Sequence, residues 1–166
     1  YQKWHHEQQL MMTKQEVKDE HKQLEGDPKV KARLAQIRQE RQRERMIAAV
    51  TKADLVITNP THYAVALKYD QKTMAAPVVV AKGADEVAFK IMEIAREHKV
   101  EILRTPPLTR AVYHNTELGD EIPDGLYMAI AQVLAYVFQL RQFRKGRAPK
   151  PGMPDFPIPP EMRRDV

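Results

Sequence analysis

The residues of this chain that are best suited to chemistry form the segment Thr58-Asn59-Pro60-Thr61-His62. Asparagine usually deamidates when the backbone nitrogen of the following residue loses its hydrogen and attacks the side-chain amide. Pro60 has no hydrogen on that nitrogen, so this route is blocked. The remaining route is attack by the side-chain nitrogen of Asn59 on its own backbone carbonyl carbon, which closes a succinimide and expels the nitrogen of Pro60. The segment therefore predicts a break in the chain between Asn59 and Pro60.

The neighbours of Asn59 could assist this reaction. Histidine exchanges protons near neutral pH, so His62 is a candidate for supplying the proton that the leaving nitrogen needs. The hydroxyl groups of Thr58 and Thr61 could orient the amide or stabilise the tetrahedral oxyanion. Asn59, Pro60, Thr61 and His62 are therefore the candidate catalytic residues of a single self-cleavage event, and we expect no turnover enzyme. The alternative is that Asn59-Pro60 is only a turn, as most isolated Asn-Pro pairs are.

The composition excludes several other kinds of site. The chain contains no Cys, which excludes disulfides, thiolate metal sites and a cysteine nucleophile. Ser is absent as well, which excludes serine hydrolases. His98 and His114 stand at the ends of predicted helices without a nearby nucleophile, and the pair His5-His6 lacks a third metal ligand. We therefore expect no metal and no cofactor.

Two strands joined by a tight turn would position the reactive segment. Strand-like runs cover residues 54–58 and 64–69. Pro60 restricts the residue before it to extended or turn geometry and favours the second position of a turn, so residues 59–62 should form the connection. Such a turn would display the side chain of Asn59 at an exposed corner.

Two further strands and a helix complete the predicted sheet. The β-branched run at residues 77–81 is typical of a buried strand, and a short strand is expected at residues 100–103. Residues 84–98 have helical period, so the order is strand, helix, strand, which predicts parallel pairing of the two strands with a right-handed crossover. The fold class is thus α/β, with a small central mixed sheet of about four strands surrounded by helices.

The rest of the chain is predicted to be helix followed by a tail. One or two helical turns are expected at residues 108–114, and Pro123 begins a last helix that is apolar nearly all round over residues 126–140. Such a helix is expected to be buried centrally. Its uncharged stretch of sixteen residues is shorter than the roughly 20 that a membrane span needs. Residues 144–166 are rich in proline and are expected to be disordered or extended.

The first fifty residues predict a charged helical arm. Asp27 is a suitable N-cap, and Pro28 then occupies the favoured first helical position. The apolar stripe of Val30, Leu34 and Ile37 is too thin to bury much surface. The arm should therefore be solvated and dock weakly, or connect the compact domain to a preceding part.

The positive charge of the chain lies in its two ends. The net charge is +4 for residues 1–53, −3 for residues 54–140 and +4 for residues 141–166, which together give the overall +5. Basic arms suit a membrane surface. They also leave open a second class of function, a nucleic-acid-binding domain, although its charge would more often lie on the folded surface itself.

Beyond the reactive segment, a longer set of motifs resembles the FlhB/YscU family, over roughly residues 30–143. The motifs are Asn59-Pro60-Thr61-His62-Tyr63-Ala64-Val65-Ala66-Leu67, Ala76-Pro77, Val80-Ala81-Lys82-Gly83, Pro106-Pro107-Leu108, Ile122-Pro123, Leu126-Tyr127 and Val133-Leu134-Ala135-Tyr136. Tyr63 to Leu67 and the run Glu117-Leu118-Gly119 are more similar to the flagellar branch than to the injectisome branch, which stays the alternative.

The resemblance implies a division of the chain and a role. Residues 1–50 would be the helical linker from a missing N-terminal membrane domain, residues 51–143 a self-cleaving domain, and residues 144–166 a variable tail. The protein would lie at the cytoplasmic face of the bacterial inner membrane, as part of an integral membrane protein. Cleavage at Asn59-Pro60 would let the flagellar type III export apparatus switch from rod and hook substrates to filament substrates. The two pieces would stay together in one sheet.

The resemblance also implies partners and a binding patch. The expected partners are other export-gate membrane proteins, a hook-length control protein, rod-type and hook-type export substrates and the chain's own cleaved fragment, without nucleic acid. A small apolar patch that binds early export substrates would involve Ala76, Pro77, Ala131 and Leu134. The alternative for these four residues is that they belong to the core.

Overall fold

The computed structural model describes residues 2–60, 62–70 and 72–163. The chain divides into two compact units, Tyr1–Arg43 and Glu44–Val166. Among the described residues, no helix has both the length and the apolar character that crossing a membrane requires.

The first unit consists of helix. Helix α1 spans Gln2–Glu25, and α2 spans Pro28–Val50 and continues into the second unit. The helices are separated at Gly26, which has a positive φ of 79° that suits glycine. The backbone N–H of Lys29 donates to Oδ1 of Asp27 over 2.9 Å, so the predicted N-cap is confirmed. Val30 and Leu34 remain about half exposed, at 54% and 47%, in agreement with a stripe too thin to be buried.

The second unit begins with the end of α2, earlier than the predicted domain start at residue 51. Val50 is completely buried, and Met46 and Ile47 pack against the same cluster. The last turns of α2 therefore belong to the compact domain, because their apolar residues cover one face of the sheet.

The sheet has four strands in the order β3-β2-β1-β4. Strand β1 spans Leu55–Asn59, β2 Tyr63–Lys68, β3 Val78–Ala84 and β4 Glu101–Arg104. β1 pairs antiparallel with β2 and parallel with β4, while β2 pairs antiparallel with β3. The predicted mixed four-stranded sheet is confirmed.

The predicted pairing of the third and fourth strands is wrong. Helix α3, Glu86–Glu97, follows β3 and leads to β4, yet β3 and β4 lie at opposite edges of the sheet. β4 pairs with β1 instead. The order strand, helix, strand fixes the direction of the two strands, but the β1–β2 hairpin occupies the space between them.

Helices cover both faces of the sheet. On one face, α3 and the end of α2 pack on a cluster that includes Val56, Ala66 and Ile91. The other face carries helix α4, Pro106–Asn115, and helix α5, Tyr127–Arg144, over a cluster that includes Leu55 and Ile57. Successive β1 residues thus point to opposite buried layers.

Helix α5 is not buried all round, which corrects the prediction of a central core helix. A short 3₁₀ turn at Asp124–Leu126 precedes it. Its buried residues are Ala129, Ile130, Val133 and Val137, but Met128 and Phe138 are 64% and 62% exposed. Apolar composition predicted burial on every side, whereas only one face has the sheet to pack against.

The proline-rich tail is extended, which is one of the two states expected for residues 144–166, and its described part packs against the domain. Ile158 is buried in the core cluster with α4 and α5. Nδ2 of Asn115 donates to the carbonyl of Met162 over 3.2 Å, and Cε of Met162 lies 2.8 Å from the position that a Cβ on Gly125 would take. A few apolar residues among the prolines therefore attach the tail up to Arg163.

Candidate functional site

The Asn59-Pro60 bond lies in the connection between β1 and β2. The last pair of this antiparallel ladder is Asn59 with Tyr63, so three residues form the loop. The backbone N–H of His62 donates to the carbonyl oxygen of Asn59 over 3.0 Å, which closes a turn across the Asn-Pro bond. Asn59 and Pro60 are partly buried and His62 is exposed, so Asn59 is less open than predicted. Thr61, the remaining candidate, lies outside the described residues.

Strand β1, which precedes the Asn-Pro bond, is held in place by hydrogen bonds to β4 and the residue that follows it. Thr58 is only 3% exposed, and its partner in the parallel ladder is Arg104 at the end of β4. Its carbonyl oxygen accepts a hydrogen bond from the backbone N–H of Thr105 over 3.0 Å. The residue preceding Asn59 is therefore held in the centre of the sheet, which limits the motion of the reacting residue.

The loop is held from its other side by the corner between β3 and α3. The backbone N–H of Asp85 donates to the carbonyl oxygen of His62 over 3.0 Å. Asp85 is the single residue between the strand and the helix, with φ 51° and ψ −112°. This backbone conformation is rare for any residue except glycine. The corner therefore places a strained residue in direct contact with the reactive loop.

An aromatic cluster supports the start of β2. The ring of Tyr63 lies 4.4 Å from that of Tyr113 and 5.4 Å from that of His114, measured between ring centroids. Nζ of Lys82 donates to the carbonyls of Tyr113 and Thr116, and lies 4.9 Å from the Tyr113 ring centroid. These contacts attach the loop's end to helix α4.

Reasoning from the sequence did not find this support. The sequence alone places Asp85 at the start of one predicted helix and His114 at the end of another, with no sign that they meet the loop region. Lys82 and Tyr113 lie 31 residues apart, so no local spacing could bring them together. The available signal was the motif Val80-Ala81-Lys82-Gly83 of the family resemblance, which places no residue at the loop by itself.

The four residues predicted as a substrate-binding patch line one groove. Ala76 and Pro77 come from the segment before β3, and Ala131 and Leu134 from α5; the groove has a volume of about 790 Å³. Ala76 is buried, whereas Ala131 is exposed and the other two are partly buried. The groove thus has an accessible wall on α5 and a floor that belongs to the core.

Further side chains extend this groove, which we call the α5 groove. Phe138 and Tyr127 add apolar wall, and Asp54 and Arg141 lie at its border. Nη2 of Arg141 donates to the backbone carbonyl of Asp54 over 3.2 Å. The Asp124 carboxylate, by its hydrogen bond to the Tyr127 hydroxyl, raises the pKa of that tyrosine above its ordinary value. The groove is therefore apolar with polar groups at its rim.

Within the part of the chain that the structure describes, no group of three or more His, Cys, Asp or Glu side chains could hold a metal ion.

Comparisons with known proteins agree with this architecture. The model of the FlhB HrpN YscU SpaS Family matches residues 1–137. The flagellar biosynthetic protein FlhB of Salmonella typhimurium is 46% identical over 160 residues, which are 96% of this chain and 42% of that protein. FlhB of Bacillus subtilis is 46% identical over 142 residues, which are 86% of this chain and 39% of that protein. The chain thus spans about two fifths of the length of these relatives.

Solved structures are similar as well. The cytoplasmic domain of FlhB from Shewanella putrefaciens superposes with a TM-score of 0.69 and 55% identity, over 74% of this chain and 95% of that one. A mutated EscU C-terminal domain superposes with a TM-score of 0.53 and 26% identity, over 54% of this chain and 90% of that one. The family model matches most of the length of this chain, and flagellar proteins are among the relatives of the chain. The chain therefore belongs to the FlhB/YscU family, on the flagellar branch.

Proposed function

We propose that this chain is the cytoplasmic part of a flagellar export-gate protein that cuts itself once between Asn59 and Pro60. The observation that carries the proposal is the position of this bond, in a hairpin loop whose two flanking strands are each held by other elements. Because Pro60 blocks deamidation, the remaining reaction of Asn59 is the attack of its side-chain nitrogen on its own backbone carbonyl carbon. The anchored turn favours this reaction, because it restricts Asn59 to few conformations.

The reaction needs no second substrate. The side-chain nitrogen of Asn59 forms a bond to its own carbonyl carbon and loses a proton, and the carbonyl electrons move to oxygen. When the carbonyl re-forms, the bond to the Pro60 nitrogen breaks and that nitrogen takes up a proton. The exposed imidazole of His62 can exchange this proton with solvent. The products are a fragment that ends in a succinimide and one that begins with Pro60.

In the cell, the cut would control which proteins are exported. The expected change is from rod-type and hook-type substrates to filament substrates, in concert with a hook-length control protein and other export-gate membrane proteins. The location would be the cytoplasmic face of the bacterial inner membrane, within an integral membrane protein. The α5 groove would bind the early substrates, because it joins an accessible apolar wall to polar groups at its rim.

Mass spectrometry of the purified chain during incubation at neutral pH tests the cleavage. We expect fragments of 59 and 107 residues from the 166-residue chain. The shorter fragment should first appear with a succinimide at its end, at a mass one water below that of the same fragment after the ring has hydrolysed. Asn59→Ala should abolish the cut because it removes the nucleophile. His62→Ala should slow it by about tenfold or more. His98→Ala, on an exposed helix end, is the matched control and should leave the rate unchanged.

A native chain that stays intact would refute self-cleavage. If the His62→Ala variant cleaves at the same rate as the native chain, the imidazole has no part in the mechanism, and the rest of the proposal stands. Cleavage in Asn59→Ala would exclude cyclisation of this residue.

A further inference from the structure

The carbonyl oxygen of Asn59 has a hydrogen-bond donor already in contact with it. The side-chain nitrogen of Asn59 attacks the carbon to which this oxygen is bonded. The oxygen therefore takes up the negative charge that develops in the reaction. The backbone N–H of His62 lies 3.0 Å from it, measured between nitrogen and oxygen. That distance is within the range at which donors stabilise an oxyanion.

A donor at this position helps the reaction more than it helps the ground state. Hydrogen bonds to a charged oxygen are roughly twice as strong as those to a neutral one. The contact of the His62 N–H therefore strengthens as the oxyanion forms, and only such a difference lowers the barrier. We propose that the backbone N–H of His62 is the oxyanion donor of the self-cleavage, with Asp85 as its positioning residue. This deepens the proposed function and rests on it.

The Asp85 contact explains how the donor is held. The N–H of His62 faces Asn59 while its carbonyl oxygen accepts the N–H of Asp85 over 3.0 Å. Residue 62 is thus bound through both of its backbone polar groups, on opposite sides. A donor that is fixed before the reaction requires no reorganisation when charge develops.

The fold keeps Asp85 in this place through a tight corner. Strand β3 ends at Ala84 and α3 begins at Glu86, so the chain turns within a single residue. The close approach of Val87 to Gly83, where a Cβ would lie 2.3 Å from Cγ1 of Val87, shows how near the helix start lies to the strand. Asp85 turns this corner with a positive φ of 51°, and its N–H contacts the loop at the carbonyl oxygen of His62.

The proposal assigns two separable roles to His62. His62→Ala removes the imidazole and keeps the backbone N–H, so it reports on proton transfer. Replacing the amide of residue 62 by an ester removes the N–H and keeps the imidazole. The ester is introduced by cell-free translation of the full chain, with a suppressor tRNA that carries the α-hydroxy analogue of histidine. Hydrolysis of the ester itself is distinguished by mass, because it would leave a fragment ending at residue 61.

We expect the ester at residue 62 to slow cleavage between Asn59 and Pro60 by about a hundredfold. The matched control is an ester at Thr73, whose N–H donates to the carbonyl of Asp70 over 3.2 Å in another i to i+3 turn. It should cleave at the native rate. An ester at Asp85 removes the positioning hydrogen bond without touching the turn, and should slow cleavage by several-fold. Circular dichroism of each chain establishes that it is folded.

A residue 62 ester that cleaves within about threefold of the native rate would overturn the proposal. An Asp85 ester with the native rate would refute the positioning role of Asp85. If the residue 62 ester does not fold, the Asp85 ester is the test, because slower cleavage is expected only if the fixed position of the His62 N–H matters to the reaction. An intact native chain would instead refute the proposed self-cleavage, and the oxyanion role with it. If the native chain cleaves and the residue 62 ester cleaves at the same rate, the oxyanion role is refuted and the self-cleavage itself is not.

Discussion

Asn59 reacts, in the proposed mechanism, because of what its neighbours lack and what they offer. Pro60 lacks the backbone hydrogen that deamidation needs, and His62 offers a backbone donor as well as an imidazole. The first could be read from the sequence because it depends only on adjacent residues. The second could not, since the direction of an N–H depends on the hairpin that β1 and β2 form and on the contact of Asp85 with the loop.

Asp85 shows a local rule broken at the candidate site. A positive φ in a residue other than glycine costs of order 1–3 kcal/mol, and such strain persists where the surrounding structure enforces it. Here the enforcing contact is the packing of α3 on β3, with Val87 over Gly83. An acidic residue at a helix start is common, so the residue type gives no sign of the positive φ, which depends on how α3 packs on β3.

Gly83→Ala should destabilise the domain by about 1–3 kcal/mol, because the new Cβ would overlap a stiff β-branched side chain. Chemical denaturation measures the change, in an Asn59→Ala background so that the chain stays in one piece. Gly152→Ala is the control, since no atom lies within 4 Å of its Cβ position. Equal free energies of unfolding for the two variants would contradict the role of the corner.

At the level of elements, periodicity predicted most strands and helices but not their neighbours in space. β-branched runs and the helical period are local signals, and they placed four strands and the crossover helix correctly. Which strand pairs with β4 depends on competition among β1, β2 and β3, and nothing in the sequence of β4 itself encodes the winner. The prediction chose the simplest pairing, and the β1–β2 hairpin occupies that position instead.

The same limitation applies to burial on α5. Sixteen consecutive uncharged residues predicted a helix surrounded by core. The structure has one sheet face to cover, shared with α4, so α5 keeps an exposed apolar side. Contiguous exposed apolar surfaces of large area mark interaction sites in soluble proteins. Ala131 and Leu134, two of the four residues that the resemblance implies for the patch, lie on α5 and line one groove with Ala76 and Pro77.

A carboxylate in the α5 groove should weaken substrate binding. Ala131→Asp places a charge on the exposed wall, where an apolar ligand would have to desolvate it, and the affinity should fall at least about tenfold. The probe is a labelled N-terminal peptide of a hook-type export substrate, followed by fluorescence anisotropy. Met128→Asp is the control, because Met128 is exposed on the same helix but does not line the groove. Equal affinities for both variants would remove the groove from the proposal.

For the molecule as a whole, the important fact is where the bond lies in the topology. β1 ends at Asn59, and it is the strand that joins the antiparallel and parallel parts of the sheet. Leu55, Val56 and Ile57 are completely buried and contribute to both cores. The fragment before the bond thus supplies a central strand to a sheet whose other strands all follow the bond.

Cleavage should therefore change the molecule without separating its pieces. Both ladders of β1 are formed with strands of the other fragment, so the fragments should elute together from a size-exclusion column in native buffer and separate in denaturant. Folding of the cut chain is then an association of two polypeptides, and its unfolding midpoint should rise with protein concentration. The uncut Asn59→Ala chain is the control, and its midpoint should not depend on concentration. Separate elution of the two fragments at micromolar concentration would show that the sheet does not hold them, and that the cut releases β1.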